Sequence, residues 1–440
     1  MQRTRGGLVG RLRWTVVLLA CVVGALTLAS CGGTDGDDGG GGGSPSSGGD
    51  SVTLKATIDS NFKAALDPLV KEFEAANPGT KIDVTYAPVD QIQTSLRAQL
   101  GAGNAPDMFT VWPGNGSAMS VTQLSAANVL TDLTDQPWTG DIPENFKPLL
   151  GTDGKVLFWE PGVAVIGAIY NEDVFKKHDV EIPETWSDVL DVCTKLKGAG
   201  VVPIAVGNQT PWVSQLINYA IAPSTAFVQD PNLADDMLAG DKTFSNSGWR
   251  TVFERYVELQ EKGCYNDNPN GTTLEQQVAM VADGKAAMAV HVSAVLPQFE
   301  EAAKGKSKLG MFPFPANDEP DDLKIPAGLS SGIGVSATSK NQEAAKKFLA
   351  FASEPENLQK FDETFVNIPV SVTAESKVKP EQLQPFVQYI VDGKSVPFMD
   401  QQWPNAEVQP VHFAMVQEVT SGKTSIDEAL EKLDEAYQKK

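Results

Sequence analysis

Gly328-Leu329-Ser330-Ser331-Gly332 has the G-x-S-x-G spacing of a serine nucleophile elbow, and His412 lies downstream where a general base would be needed. Acyl transfer on that motif requires a strand before the serine and a helix directly after it, which together expose the hydroxyl. Here Ile333-Gly334-Val335-Ser336-Ala337 reads as a strand, and the next helical run starts about ten residues later. Ser330 is therefore not expected to act as a nucleophile. A surface hydrolase using Ser330 and His412 is the alternative from another class. The chain has only three histidines, which leaves little material for base catalysis. Aspartate and glutamate are so frequent that some carboxylate pair would always mimic a glycosidase, so that observation carries no weight. No phosphate-binding loop, zinc signature or calcium loop occurs, and no metal or cofactor is expected.

The four cysteines divide into different chemistries. Arg3, Arg5, Arg11 and Arg13 precede an apolar run from Trp14 to Leu28, the pattern of a secretory signal rather than a membrane span. It ends in Leu28-Ala29-Ser30-Cys31-Gly32, a lipobox-like sequence in which Cys31 would take the lipid. Residues 1–30 are read as the signal peptide, and 31–50 as the lipidated cysteine followed by a flexible tether of Gly, Ser, Asp and Thr. About 20 such residues reach on the order of 25 Å, enough to hold a globular body just off a membrane. Cys21 would leave with the signal, and Cys193 and Cys264 remain as a disulfide pair. Two separate buried thiols are the alternative.

Beyond the tether, roughly 390 residues are too many for one ordinary core, so two domains are expected. The net charge of −21 argues against nucleic acid and against direct adhesion to anionic lipid. Val52 to Ile58 alternates as a strand, Phe62 to Ala76 repeats apolar residues at three- and four-residue steps, and Asn77-Pro78-Gly79 stops that helix. Lys81 to Tyr86, Gln91 to Leu100 and Asp107 to Trp112 continue as strand, helix and strand, which implies a doubly wound α/β sheet. Ligands in such sheets bind beyond the carboxyl ends of the strands, which places Asp59-Ser60-Asn61 and Trp112-Pro113-Gly114-Asn115 at a binding edge. A second α/β region starts near Gly162. It has strands at Val163–Tyr170, Val201–Val206 and Ala286–Val292; later come a strand at Gly332–Ala337 and helices at Gln342–Ala352 and Ser425–Tyr437.

Several stretches then coincide with one family. They are Phe73-Glu74-Ala75-Ala76-Asn77-Pro78-Gly79-Thr80-Lys81-Ile82, Ala105-Pro106-Asp107-Met108-Phe109, and Ile169-Tyr170-Asn171-Glu172-Asp173-Val174-Phe175 leading to Pro183-Glu184-Thr185-Trp186. Asp283-Gly284-Lys285-Ala286-Ala287-Met288 and Ser339-Lys340-Asn341-Gln342-Glu343-Ala344-Ala345-Lys346-Lys347-Phe348-Leu349 follow. In this order they resemble the family 1 extracellular solute-binding proteins, best known for sugar binding. The resemblance implies a two-lobed, periplasmic-binding-protein-like clamshell (type II), each lobe a mostly parallel sheet flanked by helices. It implies an N-lobe of 51–160 plus 328–366 and a C-lobe of 161–327 plus 367–440. The expected role is a monomeric, extracytoplasmic lipoprotein at the outer face of the membrane, held there by its lipid alone. It would carry a mono- or oligosaccharide to the permease of an ABC importer. A polyamine or glycerophosphodiester is the alternative cargo, and a sensor or adhesin that has lost its transporter is another reading.

A sugar offers an apolar ring face and a rim of hydroxyls, so its site needs aromatic platforms and polar edges. The resemblance places such platforms at Trp112, Trp212 and Trp403, and Trp159 lies at the first lobe crossing. Polar candidates are Asp59, Asn61, Asn115, Glu160 and Gln209, with Ser330 and Ser331 lining the cleft. Relatives often carry a Trp six residues after the methionine of Ala286-Ala287-Met288; here that position is Ala294. His291, nearby, would replace a polar contact.

Overall fold

The computed structural model describes residues 51–142, 146–370 and 372–439. The expected signal peptide, Cys31 and the tether lie outside the described residues.

Two sheets are built from eleven strands: β1 (Val52–Asp59), β2 (Thr80–Ala87), β3 (Met108–Val111), β4 (Phe158–Trp159), β5 (Val163–Asn171), β6 (Val202–Ile204), β7 (Ala286–Val292), β8 (Leu309–Phe312), β9 (Ile325–Leu329), β10 (Gly332–Val335) and β11 (Ser395–Val396). The first sheet has the order β2-β1-β3-β10-β4. Its β1, β2 and β3 are mutually parallel, as the strand–helix alternation requires, whereas β10 runs antiparallel between β3 and β4. Alternation in β1 turns Leu54, Ala56 and Ile58 to one face. There they meet Leu66, Leu69 and Phe73 from helix Lys63–Ala76 in one apolar core. Helices Gln342–Ala352 and Pro355–Phe365 close this core with tilted and edge-on aromatic contacts, Phe73 to Phe348 at 5.2 Å and Phe62 to Phe365 at 4.4 Å.

Both sheets correct one expectation. They are mixed rather than mostly parallel: β10 makes two antiparallel pairs in the first, and in the second β5 pairs antiparallel with β7, β8 and β9, while β6 and β11 add parallel edges. β5 is an almost continuous apolar run buried along its length, and such a run carries no signal of strand direction. Helix Leu216–Gln229 crosses this half and is buried on nearly every side. Cys193, in helix Trp186–Gly198, is joined to Cys264, just past helix Trp249–Glu261, by a disulfide.

The chain passes between the sheets at 160–162, 330–331 and 366–367. These crossings are bonded to one another. Val163 and Ile368 exchange backbone hydrogen bonds at 2.8 Å each, and the Ser330 N–H donates to the Gly162 carbonyl at 3.1 Å. Gly332 sits here because a Cβ at that position would collide with the Trp159 carbonyl.

Candidate functional site

A cavity lies between the two sheets, beyond the carboxyl ends of β1 and β3. It offers about 130 Å³ to the centre of a water molecule. From the first sheet come Asp59, which ends β1, Asn61 in the turn that follows, and Trp112, directly after β3. From the second come Trp212, Tyr219 and Asp400, with Ile166, Val292 and Leu329 as an apolar floor. Ser330 and Ser331 line it at the crossing.

Asp59 is buried, and its carboxylate accepts only local hydrogen bonds, from Asn61 N at 3.0 Å and Asn61 Nδ2 at 3.2 Å. Loss of hydration raises its pKa to about 6 in spite of those donors. Across the cavity, Asp400 is likewise raised to about 6 by desolvation, with Tyr219 beside it. Burial, and then the Asp400 charge, push the Tyr219 phenol well above its usual range. That hydroxyl and Oε1 of Gln401 are buried without a hydrogen-bond partner in the protein.

The walls also touch at two rims. Gln298 Nε2 donates to Asn61 Oδ1, and Asn115 Nδ2 donates to the Pro404 carbonyl while Asn115 Oδ1 accepts from Gln123 Nε2 at 2.8 Å. At the second rim Gly116 packs directly on Asp400, where a Cβ would collide with the Asp400 backbone oxygen.

The remaining expected site residues fall elsewhere. Trp159 is 1% exposed and edge-on to Phe361 at 5.2 Å, so its ring belongs to the first core and offers no platform. Trp403 is packed among Phe244, Trp249, Tyr219 and His412, which places it behind the cavity wall. Asn115 serves the rim. Glu160 is at the crossing, where Oε1 accepts from Gly162 N at 2.7 Å and Ser330 N at 3.1 Å; desolvation, then the Asp362 charge, raise its carboxyl well above the usual range. Gln209 is exposed on a loop whose N–H bonds Thr272 O. His291 is fully buried under Trp212, with ring centroids 5.3 Å apart, and Nδ1 accepts from Val292 N at 3.0 Å. Desolvation lowers its pKa to about 3, so the ring is neutral. Ala294 does line the cavity, leaving open the space that a larger side chain would fill.

The hydrolase alternative fails on geometry. Strand β10 follows Ser330 and the next helix begins at Gln342, so no elbow forms. Ser330 Oγ donates to Asn367 Oδ1 at 2.8 Å, whereas His412 is buried on Tyr219 and near Asn218 Nδ2 at 3.2 Å.

The sequence analysis missed Asp400, Tyr219 and Gln401. Asp400 and Trp403 share one short segment, and the 3-10 helix Met399–Gln402 turns the acid toward the cavity and leaves the indole in the core. Tyr219 lies in a helix apolar all round, where periodicity singles out no face.

A family model described as bacterial extracellular solute-binding protein matches residues 59–359. The multiple sugar-binding protein of Streptococcus mutans is 24% identical over 344 residues, spanning 77% of this chain and 80% of its own. The sn-glycerol-3-phosphate-binding periplasmic protein UgpB of Escherichia coli is 24% identical over 323 residues, spanning 70% and 72%. In fold, the chain is similar to the solute-binding protein RafE solved with raffinose, at TM-score 0.71, 17% identity and 88% and 98% coverage. A structure from a study of xylan utilization by a thermophilic Caldanaerobius matches at TM-score 0.75 and 21% identity, covering 87% and 99%.

Proposed function

Because the chain belongs to the bacterial extracellular solute-binding protein family, we propose that it captures a carbohydrate between two lobes outside the cytoplasm and delivers it to the permease of an ABC importer. It is a binding protein and not an enzyme. The observation that carries the cargo is the pairing of Trp112 and Trp212, from opposite walls of one cavity, with the polar edge of Asp59, Asn61, Ser331 and Asp400. Flat indoles suit the apolar face of a pyranose, and carboxylates and amides suit its hydroxyls. The names of the sugar-binding relatives support the same class.

The lobes follow the two sheets: 51–160 plus 328–366, and 161–327 plus 367–440. The pairing of β9 with β5 and of β10 with β3 supports a crossing at Ser330-Ser331, two residues beyond the boundary read from sequence. In this reading Cys31 carries the lipid, residues 32–50 tether a monomer to the membrane, and ligand biases an equilibrium between open and closed lobes. A polyamine is the second reading, favoured by the two carboxylates beside two indoles.

The test is a thermal-shift screen of the mature chain with raffinose, stachyose, xylo-oligosaccharides and maltodextrins, against spermidine and sn-glycerol 3-phosphate. A sugar at a hundredfold excess over its Kd stabilises by about 2.7 kcal/mol, which moves Tm by a few degrees. Trp112→Ala is expected to weaken that sugar by about 2 kcal/mol, or roughly thirtyfold. A shift with spermidine alone would overturn the cargo.

A further inference from the structure

The cavity presents two carboxylates and no cation. Asp59 stands on one wall and Asp400 on the other, and no Lys, Arg or His is among the residues that line it. Two helices begin at the wall, where free backbone N–H groups could hold an anion. Helix Val89–Gly101 already has Asp90 in its first turn, and helix Leu216–Gln229 brings Tyr219 beside Asp400. An acid of the protein thus stands close to each of these helices. Gln401 Oε1, in a residue 5% exposed, lines the same cavity without a partner, and the Tyr219 hydroxyl, 1% exposed, has only Asp400 and Gln409 beside it. The unpartnered amide oxygen waits for a donor, from an uncharged or cationic group. An incoming carboxylate or phosphate would meet two like charges in a site with little water to screen them.

We propose that Asp59 and Asp400 make this cavity a charge filter, which admits neutral or cationic polyhydroxylated ligands and rejects carboxylated or phosphorylated ones. The filter rests on the cavity being the ligand site but not on the ligand being a sugar. It separates this chain from what its similarity to a glycerol-phosphate-binding relative would suggest, because nothing in the cavity can neutralise a phosphate.

Two measurements on the mature chain test it. The first needs no ligand: quenching of the tryptophan fluorescence by iodide and by caesium, read as the change on substitution against the same acidic parent chain. Trp112→Phe and Trp212→Phe identify the signal of the two cavity indoles. In the Asp59→Asn, Asp400→Asn double variant, iodide quenching of that signal should rise at least about threefold and caesium quenching should fall. Unchanged ratios would overturn the filter. The second compares each neutral sugar found to bind with its aldonic acid, alongside spermidine and sn-glycerol 3-phosphate, by calorimetry. The acid should bind at least about a hundredfold more weakly than its neutral parent, and the double variant should narrow that ratio below about tenfold. Equal affinities, or tight binding of sn-glycerol 3-phosphate, would overturn it. Binding of spermidine without any sugar would keep the filter and overturn the carbohydrate reading.

Discussion

Asp59 and Glu160 each stand at the end of a strand of the first sheet, and burial raises both carboxyls, yet they do opposite things. Glu160 follows β4 and is met by backbone donors from two chain crossings, Gly162 and Ser330. It ties the crossings together. Asp59 ends β1 and is met only by Asn61, two residues on, with the rest of its hydrogen-bonding capacity turned to the cavity. A buried carboxyl with long-range donors is structure, and one with only local donors is poised for something that arrives later. Composition and burial do not separate the two; the sequence distance to the donor does.

The largest effect should come from Glu160→Ala, which leaves the Gly162 N–H without an acceptor and the Ser330 N–H with only the Gly162 carbonyl. At about 1–3 kcal/mol for the orphaned group, the mature chain should lose about 2 kcal/mol in urea unfolding. Glu160→Gln keeps an acceptor oxygen and should recover most of that loss. A loss below about 1 kcal/mol for the alanine variant would break the comparison.

Acid should sharpen it. His291 and His412 are buried neutral, with pKa values lowered from 6.5 to about 3 by desolvation. Their stability is present above 6.5 and is lost as pH falls, by about 1.4 kcal/mol per pH unit for each. Asp59 runs the other way. Raised from 3.8 to about 6, it contributes stability below 3.8 that is lost as pH rises through about 6. Between pH of about 7.5 and 5 the two histidines should cost about 4 kcal/mol, while Asp59 and Asp400 should each return about 1.4. Asp59→Asn should therefore lose about 1.4 kcal/mol more on acidification than the parent chain, and paired urea titrations would show it.

The smallest effect is Asp59→Asn at neutral pH. It removes a desolvated charge, so the ligand-free protein should become more stable by about 1–2 kcal/mol, while affinity for the sugar drops. Loss of stability in thermal unfolding would place Asp59 with Glu160 as structure.

Much of the first sheet and its helices was legible because its information is local. Leu66, Leu69 and Phe73 announce a helix face, Asn77-Pro78-Gly79 announces its end, and strand–helix alternation announces the parallel order of β1 to β3. The second sheet was less legible because β5 meets three partners from far along the chain, and an apolar run has no direction. The cavity was half legible. Asp59, Asn61 and Trp112 follow from the rule that ligands gather at strand ends. Trp159 and Trp403 misled because a large aromatic at an element's edge reads the same whether it faces a core or a ligand. Asp400 reaches the cavity through the turn of a four-residue 3-10 helix, too short for a periodic pattern to announce its face.

In the proposed clamshell, Gly116 seated on Asp400 makes closure and dehydration of that acid a single event. A protein that shut on nothing would enclose a carboxylate with little beyond Tyr219 to offset its loss of hydration. A filled one supplies the missing donors. In the proposed role, the ATPase of the partner importer should then stay near baseline when mixed with ligand-free protein. Opening that rim with bulk, as in Gly116→Val, would blunt the message from filled protein as well.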